Sequence, residues 1–470
     1  MYTIYQKKVR VKSEPAYNSL PGPGCTRAEE LFIAIEKKGG YSILYFLCYD
    51  SHMRITLLTY GSRGDFQPFL ALAVGLQKAG HSVCLAGPRR FESFAAELAI
   101  PFAQLAGDPA ELSQNFNNVG GNVFGMVRAM QEHVFPIAAQ VVQQALAACR
   151  GADLLVHSFL FTSGARVFAR QLDIPDVSVQ TFPIFTPTRA FPNVGFPNLP
   201  PGLLSYLSHQ LLTYIYQVAG NSGYQRLRRN SSLNLPEKLE WPFKAAAGRA
   251  ASPLLFAFSQ AVLPRPPDWK AANIHIPGYF FLDEPDYRPP AELERFLQDG
   301  EPPVCISFGS MVNRQAEKIG QALLTGLAQA GQRGIILTGW SSWKPATPPA
   351  NVLYMESAPH SWLFPRCKVI VHHGGAGATG AGLRSGKPNI VVPFAVDQPF
   401  WARRVALLGA GPAPIPVKQF NARSFGVALE CVLSDAAIQT RAEAVGTQIR
   451  SEDGVGNAVR LIEAHAASGQ

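Results

Sequence analysis

No apolar run in this chain reaches the roughly 18 residues that a membrane-spanning helix needs. The nearest is LLSYLSHQLLTYIYQVAG, Leu203 to Gly220, which Ser205, Ser208, His209, Gln210 and Gln217 interrupt. It reads as an amphipathic helix with an aromatic face. Cysteine is sparse and scattered, with seven residues at 25, 48, 84, 149, 305, 367 and 431 and no C-x-x-C pair or Cys/His ligand spacing. That argues against a structural zinc site and for a reduced, cytoplasmic setting. Blocks of like charge are absent too. The 42 basic and 33 acidic residues leave a net charge of +9, thinly spread. A dispersed excess describes a solvated basic surface and no nucleic-acid partner. It is compatible with a weak pull towards anionic substrates or a peripheral contact with an anionic membrane. Short solenoid repeats are missing.

Apolar side chains are plentiful: 47% of 470 residues, against 16% charged. That describes a well-buried globular protein, and the length predicts two domains. Residues 1–52 stand apart. SEPAYNSLPGPGCTRAEE is turn-rich and aperiodic, and YSILYFLCY lacks the order of a signal peptide. A loosely attached, poorly ordered extension is expected there, with Met53 as the natural start of the fold.

From Met53 strands and helices alternate. Ile55–Thr59 and Ser82–Ala86 are predicted strands, as are ADLLVHS and DVSVQT. Pro68–Ala79, Arg89–Leu98, Asn122–Ala148 (broken near Pro136) and SGARVFARQL are predicted helices. Pro183 to Pro201 is a long irregular stretch of the functional kind. Nine prolines between Pro264 and Pro303 mark a linker. The rhythm then restarts: strands in PPVCISFGS, GIILTG, VLYM, KVIVHH and NIVVPF, with helices over Gln315–Ala330 and Gly375–Ser385. The expected class is α/β, with two Rossmann-like domains facing across a cleft. The expected partition is 53–264, a linker at 265–303, 304–454, and a C-terminal helix in 455–470 (Val455–Ala466) that packs back on the first domain.

Two stretches carry chemistry. In LLTYGSRGDFQPF a strand delivers Asp65 to its own carboxyl end inside a glycine-framed turn. A helix cap, a cell-adhesion triplet, a phosphate loop and a catalytic base all fit this pattern. In VIVHHGGAGATGAGLRSGKPNIVVPFAVDQPFW a strand ends in His372-His373 and a glycine run opens a helix. Glycines admit an anion to the backbone, and the helix N-terminus offers unpaired N–H groups. A diphosphate fits there, with His373 and Thr379 as further donors. Gly375, Gly377 and Gly380 also match G-x-G-x-x-G, but the next strand lacks the acid that a dinucleotide fold places at its end. FGSM ends another strand, with Ser310 as helix cap or phosphate contact.

GSRGDFQP, FGSM, PHSWLFPRCKVIVHHGGAGATGAGLRSGKP and PFAVDQPFWA together resemble the sterol glucosyltransferase and antibiotic-aglycone branch of glycosyltransferase family 1. The resemblance covers essentially Met53 to the C-terminus. It implies a GT-B fold whose second half binds a nucleotide sugar, usually UDP-glucose, and whose first half binds the acceptor. By position, His373 resembles the diphosphate-contacting histidine, with Gly374, Gly375 and Gly377 as its cradle. Asp397 and Gln398 resemble the pair on the sugar hydroxyls, Ser310 the serine near the phosphates, and Asp65 the base. Three positions depart: Ala378 stands where a hydroxyl is usual, Ser361 where an acid is usual, and Ser357 where plant relatives place a uracil-stacking tryptophan. Trp362 is expected to pack rather than to stack on a base.

Sugar transfer needs a base for the acceptor hydroxyl and stabilisation of the departing diphosphate. No D-x-D pair flanks the glycine run. The expected reaction is a metal-independent inverting displacement with Asp65 as base, no cofactor, and the UDP-sugar as co-substrate. VQTFPIFTPTRAFPN and LLSYLSHQLLTYIYQ suit a bulky apolar acceptor such as a sterol, triterpenoid, polyketide or lipid. His157, His133 and His209 are expected to be structural. An NAD(P)-dependent oxidoreductase and a silent nucleotide-sugar or lipid binder are the alternatives.

Overall fold

A computed structural model describes residues 30–35, 43–48, 52–109, 132, 135–196, 198–230, 235–237, 239, 241, 243, 251–309, 316–339 and 343–468. Ser310 and His133 lie outside them, as does most of 122–134. The chain divides into two compact units, Met1–His52 and Met53–Gln470. In the first, β1 (Glu30–Ile35) and β2 (Ile43–Cys48) pair antiparallel, Glu30 opposite Cys48 and Ile35 opposite Ile43.

The second unit holds two parallel sheets. The first is built from β3 (Arg54–Leu58), β4 (Ser82–Pro88), β5 (Phe102–Leu105), β6 (Leu154–His157), β7 (Asp176–Gln180), β8 (Leu254–Phe256) and β9 (Ile274–His275), in the order β5-β4-β3-β6-β7-β8-β9. The second is built from β10 (Val304–Ser307), β11 (Gly334–Leu337), β12 (Val352–Met355), β13 (Val369–His372) and β14 (Asn389–Val391), in the order β12-β11-β10-β13-β14. The central strands β6, β7, β10 and β13 are buried along their whole length. That is why they read as unbroken apolar runs: helices cover both faces. In each sheet the chain reverses direction of winding beside the first strand, between β3 and β6 and between β10 and β13. Ligands of doubly wound folds bind at these switch points, outside the carboxyl ends of the strands.

The proline-rich stretch carries structure of its own. It supplies β9 to the first sheet, and its helix Ala291–Gln298 puts Leu293 into a core with Cys305, Ile335 and Phe364. The Arg265 guanidinium donates to the carbonyls of Trp269, Ala271 and Ile274, which satisfies backbone that lacks a helical partner. The C-terminal helix Gly454–Ser468 follows the second sheet yet packs Ala458, Val459, Ile462 and Ala466 into the core of the first, with Ile55, Leu72 and Leu76. The helix expected to break near Pro136 is described from Phe135 and runs unbroken to Cys149. Pro136 sits in the first described turn, where a missing N–H is tolerated.

Candidate active site

Asp65 stands just beyond β3. Ser62 caps the helix Arg63–Lys78, so Asp65 is the third helical residue and not the cap itself. The helix therefore starts before Pro68, where the sequence pattern placed it, because Ser62 and Asp65 close its first turn together. The Asp65 Oδ2 accepts hydrogen bonds from the Ser62 backbone N–H at 2.8 Å and from Ser62 Oγ at 3.0 Å. A Cβ on Gly61 (φ +134°) would lie 2.4 Å from that oxygen, so glycine is what lets the carboxylate fold back. Burial raises the Asp65 carboxyl above its usual range, against the hydrogen bonds from Ser62 that favour the anion.

The glycine turn follows β13. His372 is fully buried. Its Nδ1 accepts from the Gly374 N–H at 3.1 Å, so Nε2 carries the proton and donates to Asn389 Oδ1 at 3.0 Å. Burial, with the neighbouring His373, pushes it down to about 3. It is a neutral strut that holds the turn. Gly374 takes φ +87°, and a Cβ there would meet Val391 at 2.8 Å and the Gln398 carbonyl at 3.0 Å.

His373 lies between two glycines. A Cβ on Gly375 would come 2.5 Å from its Nε2, and one on Gly309 (φ +60°) 3.3 Å from its Cε1. Its Nδ1 is buried with no well-formed hydrogen bond among the described residues. Burial pushes the ring down to about 4, against the pull of the Ser307 backbone. Gly375 caps the helix Ala376–Arg384. Gly377 is exposed, and a Cβ on it would meet nothing within 4 Å. Thr379 and Ala378 are enclosed instead. The Thr379 hydroxyl is buried with no hydrogen-bond partner among the described residues.

Asp397 and Gln398 open the helix Gln398–Leu407 after β14. Gln398 Oε1 accepts from the Phe394 N–H at 2.8 Å and the Ala395 N–H at 3.1 Å, which fixes the amide over the start of this helix. Asp397 is pushed up to about 7 by burial and then by the charge of Asp65, against the N–H groups of its own backbone and Ala376 and the Trp401 indole. The Asp65 carboxyl, at the end of the first sheet, is thus close enough for its charge to be felt by Asp397, which lies against the Ala376 N–H beside the His373 turn.

Several contributors were not legible in advance. Ser307 Oγ pairs with His360 Nε2 at 3.2 Å, and burial, then Arg63 and His373, push His360 down to about 3. On the first domain, Phe185 packs at 4.6 Å on Tyr216 and 5.1 Å on Trp241, which meets Phe243 at 5.4 Å. Trp241 and Phe243 lie in a segment whose only signal is the WPF triplet. The irregular loop reaches the second domain directly: Phe191 lies 5.3 Å from Phe400 on the helix that Asp397 opens. Trp362 packs on Tyr287 at 5.4 Å, with the Arg366 guanidinium 4.1 Å over its ring. Ser357 is exposed beside Tyr354, Met355 and Glu356 in an open cavity of about 360 Å³.

The three histidines expected to be structural divide as follows. His157 is buried, 3.4 Å from Asp176. His209 is buried too; it accepts from Asn193 Nδ2 at 3.1 Å and donates to the Phe191 carbonyl at 3.1 Å. His133 is outside the described residues.

Residues 55–184 match the glycosyltransferase family 28 N-terminal domain, and residues 334–460 match the C-terminal domain of erythromycin biosynthesis protein CIII-like proteins. An O-mycaminosyltylonolide 6-deoxyallosyltransferase of Streptomyces fradiae is 34% identical over 426 residues, covering 87% of this chain and 97% of that one. The chain belongs to the sterol glucosyltransferase and antibiotic-aglycone branch of the glycosyltransferases. A sterol 3-beta-glucosyltransferase of Arabidopsis thaliana is 33% identical over 90% of this chain and 67% of its own. One of Candida albicans is 36% identical over 87% of this chain, which spans only 27% of that longer protein. Among solved structures, the calicheamicin glycosyltransferase CalG4 superposes with a TM-score of 0.64 at 17% identity, covering 88% of this chain and 98% of that one. The fold is therefore the GT-B type. The matches give no support to an oxidoreductase.

Proposed function

We propose that this chain moves a hexose, glucose from UDP-glucose in the first instance, to a hydroxyl of a bulky apolar acceptor, with inversion and without a metal ion. The observation that carries this is the electrostatic coupling of Asp65, beyond the end of β3, to Asp397, which lies against the Ala376 N–H beside the His373 turn. Asp65 takes the proton of the acceptor hydroxyl as its oxygen attacks the anomeric carbon. The bond from that carbon to the diphosphate breaks. The charge that develops on the leaving oxygen is met by His373 and the N–H groups at Gly375 to Gly377. One displacement at one carbon inverts its configuration. Asp397 and the Gln398 amide hold sugar hydroxyls, and a donor proton from the sugar stabilises the Asp397 anion that burial disfavours.

The aromatic group of Phe185, Tyr216, Trp241 and Phe243 supports an apolar acceptor, because Phe185 and Tyr216 belong to the loop and helix that follow the carboxyl end of β7 and Trp241 and Phe243 pack on them from the segment beyond. Sterol and macrolide acceptors in the names of relatives point the same way. The test is nucleotide release with sterols, macrolide aglycones and small phenols, each against UDP- and TDP-sugars. Release that depends on a sterol or aglycone is expected. Transfer to phenols alone would remove the apolar pocket, and no acceptor-dependent release from any donor would remove the activity.

A further inference from the structure

The helix Leu203–Asn230 is inside out. Ser205, Ser208 and His209 are its buried side chains near the start. They are satisfied there: Ser205 Oγ donates to the Pro200 carbonyl at 2.8 Å, Ser208 Oγ to the Ser205 carbonyl at 2.6 Å, and Ser208 Oγ accepts from the Asn193 N–H at 2.9 Å. Six of its large apolar residues point the other way, while Tyr224 and Tyr216 pack inwards. Leu203, Leu207, Leu211, Tyr214, Ile215 and Val218 are each between 49% and 65% exposed. They recur at helical spacing and form one stripe about 22 Å long. Leu160, 47% exposed, lies near the same helix, since Tyr216 Oη donates to the carbonyl of Phe159. Folding does not require leucines at positions that face water. A contiguous exposed apolar stripe marks an interaction surface.

Charge says what it meets. The 28 residues of this helix include no acidic side chain, while Arg226, Arg228 and Arg229 crowd its end. We propose that the outer face of this helix lies on an anionic lipid bilayer, leucines in the headgroup boundary and arginines against the phosphates. No described helix is long and apolar enough to cross a membrane, so this one lies along the surface. The same helix on a second copy would bring no acidic residue to meet those arginines, so charge favours the anionic surface. The inference stands on the helix alone; an apolar acceptor dissolved in the same bilayer would then reach the first domain without crossing water.

The test is co-sedimentation of the full chain with phosphatidylcholine vesicles, with and without phosphatidylserine. Binding at least about tenfold stronger with phosphatidylserine, falling as salt rises, is expected. A Leu207→Glu/Leu211→Glu variant should bind at least about tenfold more weakly while keeping its far-UV spectrum and its UDP-induced thermal shift, which report folding and the other domain. Should it misfold, Arg228→Glu/Arg229→Glu reads the same surface through its salt dependence. Absence of vesicle binding, equal binding by the variants, or a concentration-dependent dimer that the leucine variant abolishes would overturn the proposal.

Discussion

The Asp65 carboxylate is the neighbour whose charge, after burial, raises Asp397 to about 7. Asp65 and Asp397 belong to different domains, so closing the cleft sets two acids against each other and they titrate as a pair. For Asp65→Asn we expect kcat to fall by about a hundredfold to ten-thousandfold, the span that a positioned base supplies, with UDP affinity kept. Normal turnover would remove Asp65 from the mechanism. For Asp397→Asn the base keeps its own ionisation. Asp65 loses its proton while Asp397 still holds one, so a neutral amide there should leave the limb of the kcat/KM profile that reports Asp65 in place. The same variant tests stability. Native Asp397 holds its proton to about 7, and the unfolded carboxyl releases it near 3.8. Between those values the native state binds more protons, so stability contributed here falls as pH rises. Asn should flatten that slope in thermal melts.

The His373 ring is neutral in the free protein, at about 4. A bound diphosphate raises it, so the complex binds more protons than the free protein and this contribution to affinity grows as pH falls. Calorimetry with UDP in buffers of different ionisation enthalpy should show proton uptake that His373→Gln reduces. The variant should also weaken UDP by about tenfold to a hundredfold, the loss of one hydrogen bond to a charged group. Unchanged uptake and affinity would place the diphosphate elsewhere.

Much of this was written in local pattern. Continuous apolar runs announced β6, β7, β10 and β13, because parallel strands buried on both faces need no polar alternation. The turn after β13 was legible because few contexts require His-His before a glycine run. What stayed hidden depends on long-range packing. Asp65 as third helical residue depends on a fold-back that only the Gly61 backbone reveals. The partners of His372 and His360 lie 17 and 53 positions away. The outward leucines of Leu203–Asn230 have the spacing of any amphipathic helix, and periodicity does not say which side is wet.

Asp176 offers a check on the first domain that is independent of the cleft. It is buried with Arg166 at 2.7 Å, Ser252 Oγ at 2.6 Å and His157 at 3.4 Å. Burial alone would raise its carboxyl, but His157, Arg166 and Ser252 together hold it at about 2. This pKa is depressed, so its stability is present above the unfolded value of 3.8 and lost as pH falls towards 2. Asp176→Asn leaves Arg166 buried without its counter-charge and should destabilise by about 3–5 kcal/mol at neutral pH. Chemical denaturation measures it; a loss under about 1 kcal/mol would mean the site is wetter than its burial implies.

Glycines of the helix Ala376–Arg384 separate binding from folding most cleanly. A Cβ on Gly380 would lie 2.6 Å from the Tyr279 ring, and one on Gly382 2.0 Å from Asn389 Oδ1. Alanine at either should lower the melting temperature, because a fixed aromatic ring or the Asn389 strut of His372 must move. Gly377 is the opposite case. A Cβ there meets nothing, and alanine is the better helix former, so Gly377→Ala should melt at the same temperature or higher. If phosphate oxygens approach the exposed N–H groups of this turn, the added methyl stands in their way. UDP affinity should then fall by at least about tenfold while the protein melts normally, a combination that a purely structural glycine would not produce. Unchanged UDP binding by Gly377→Ala would move the diphosphate off this helix end.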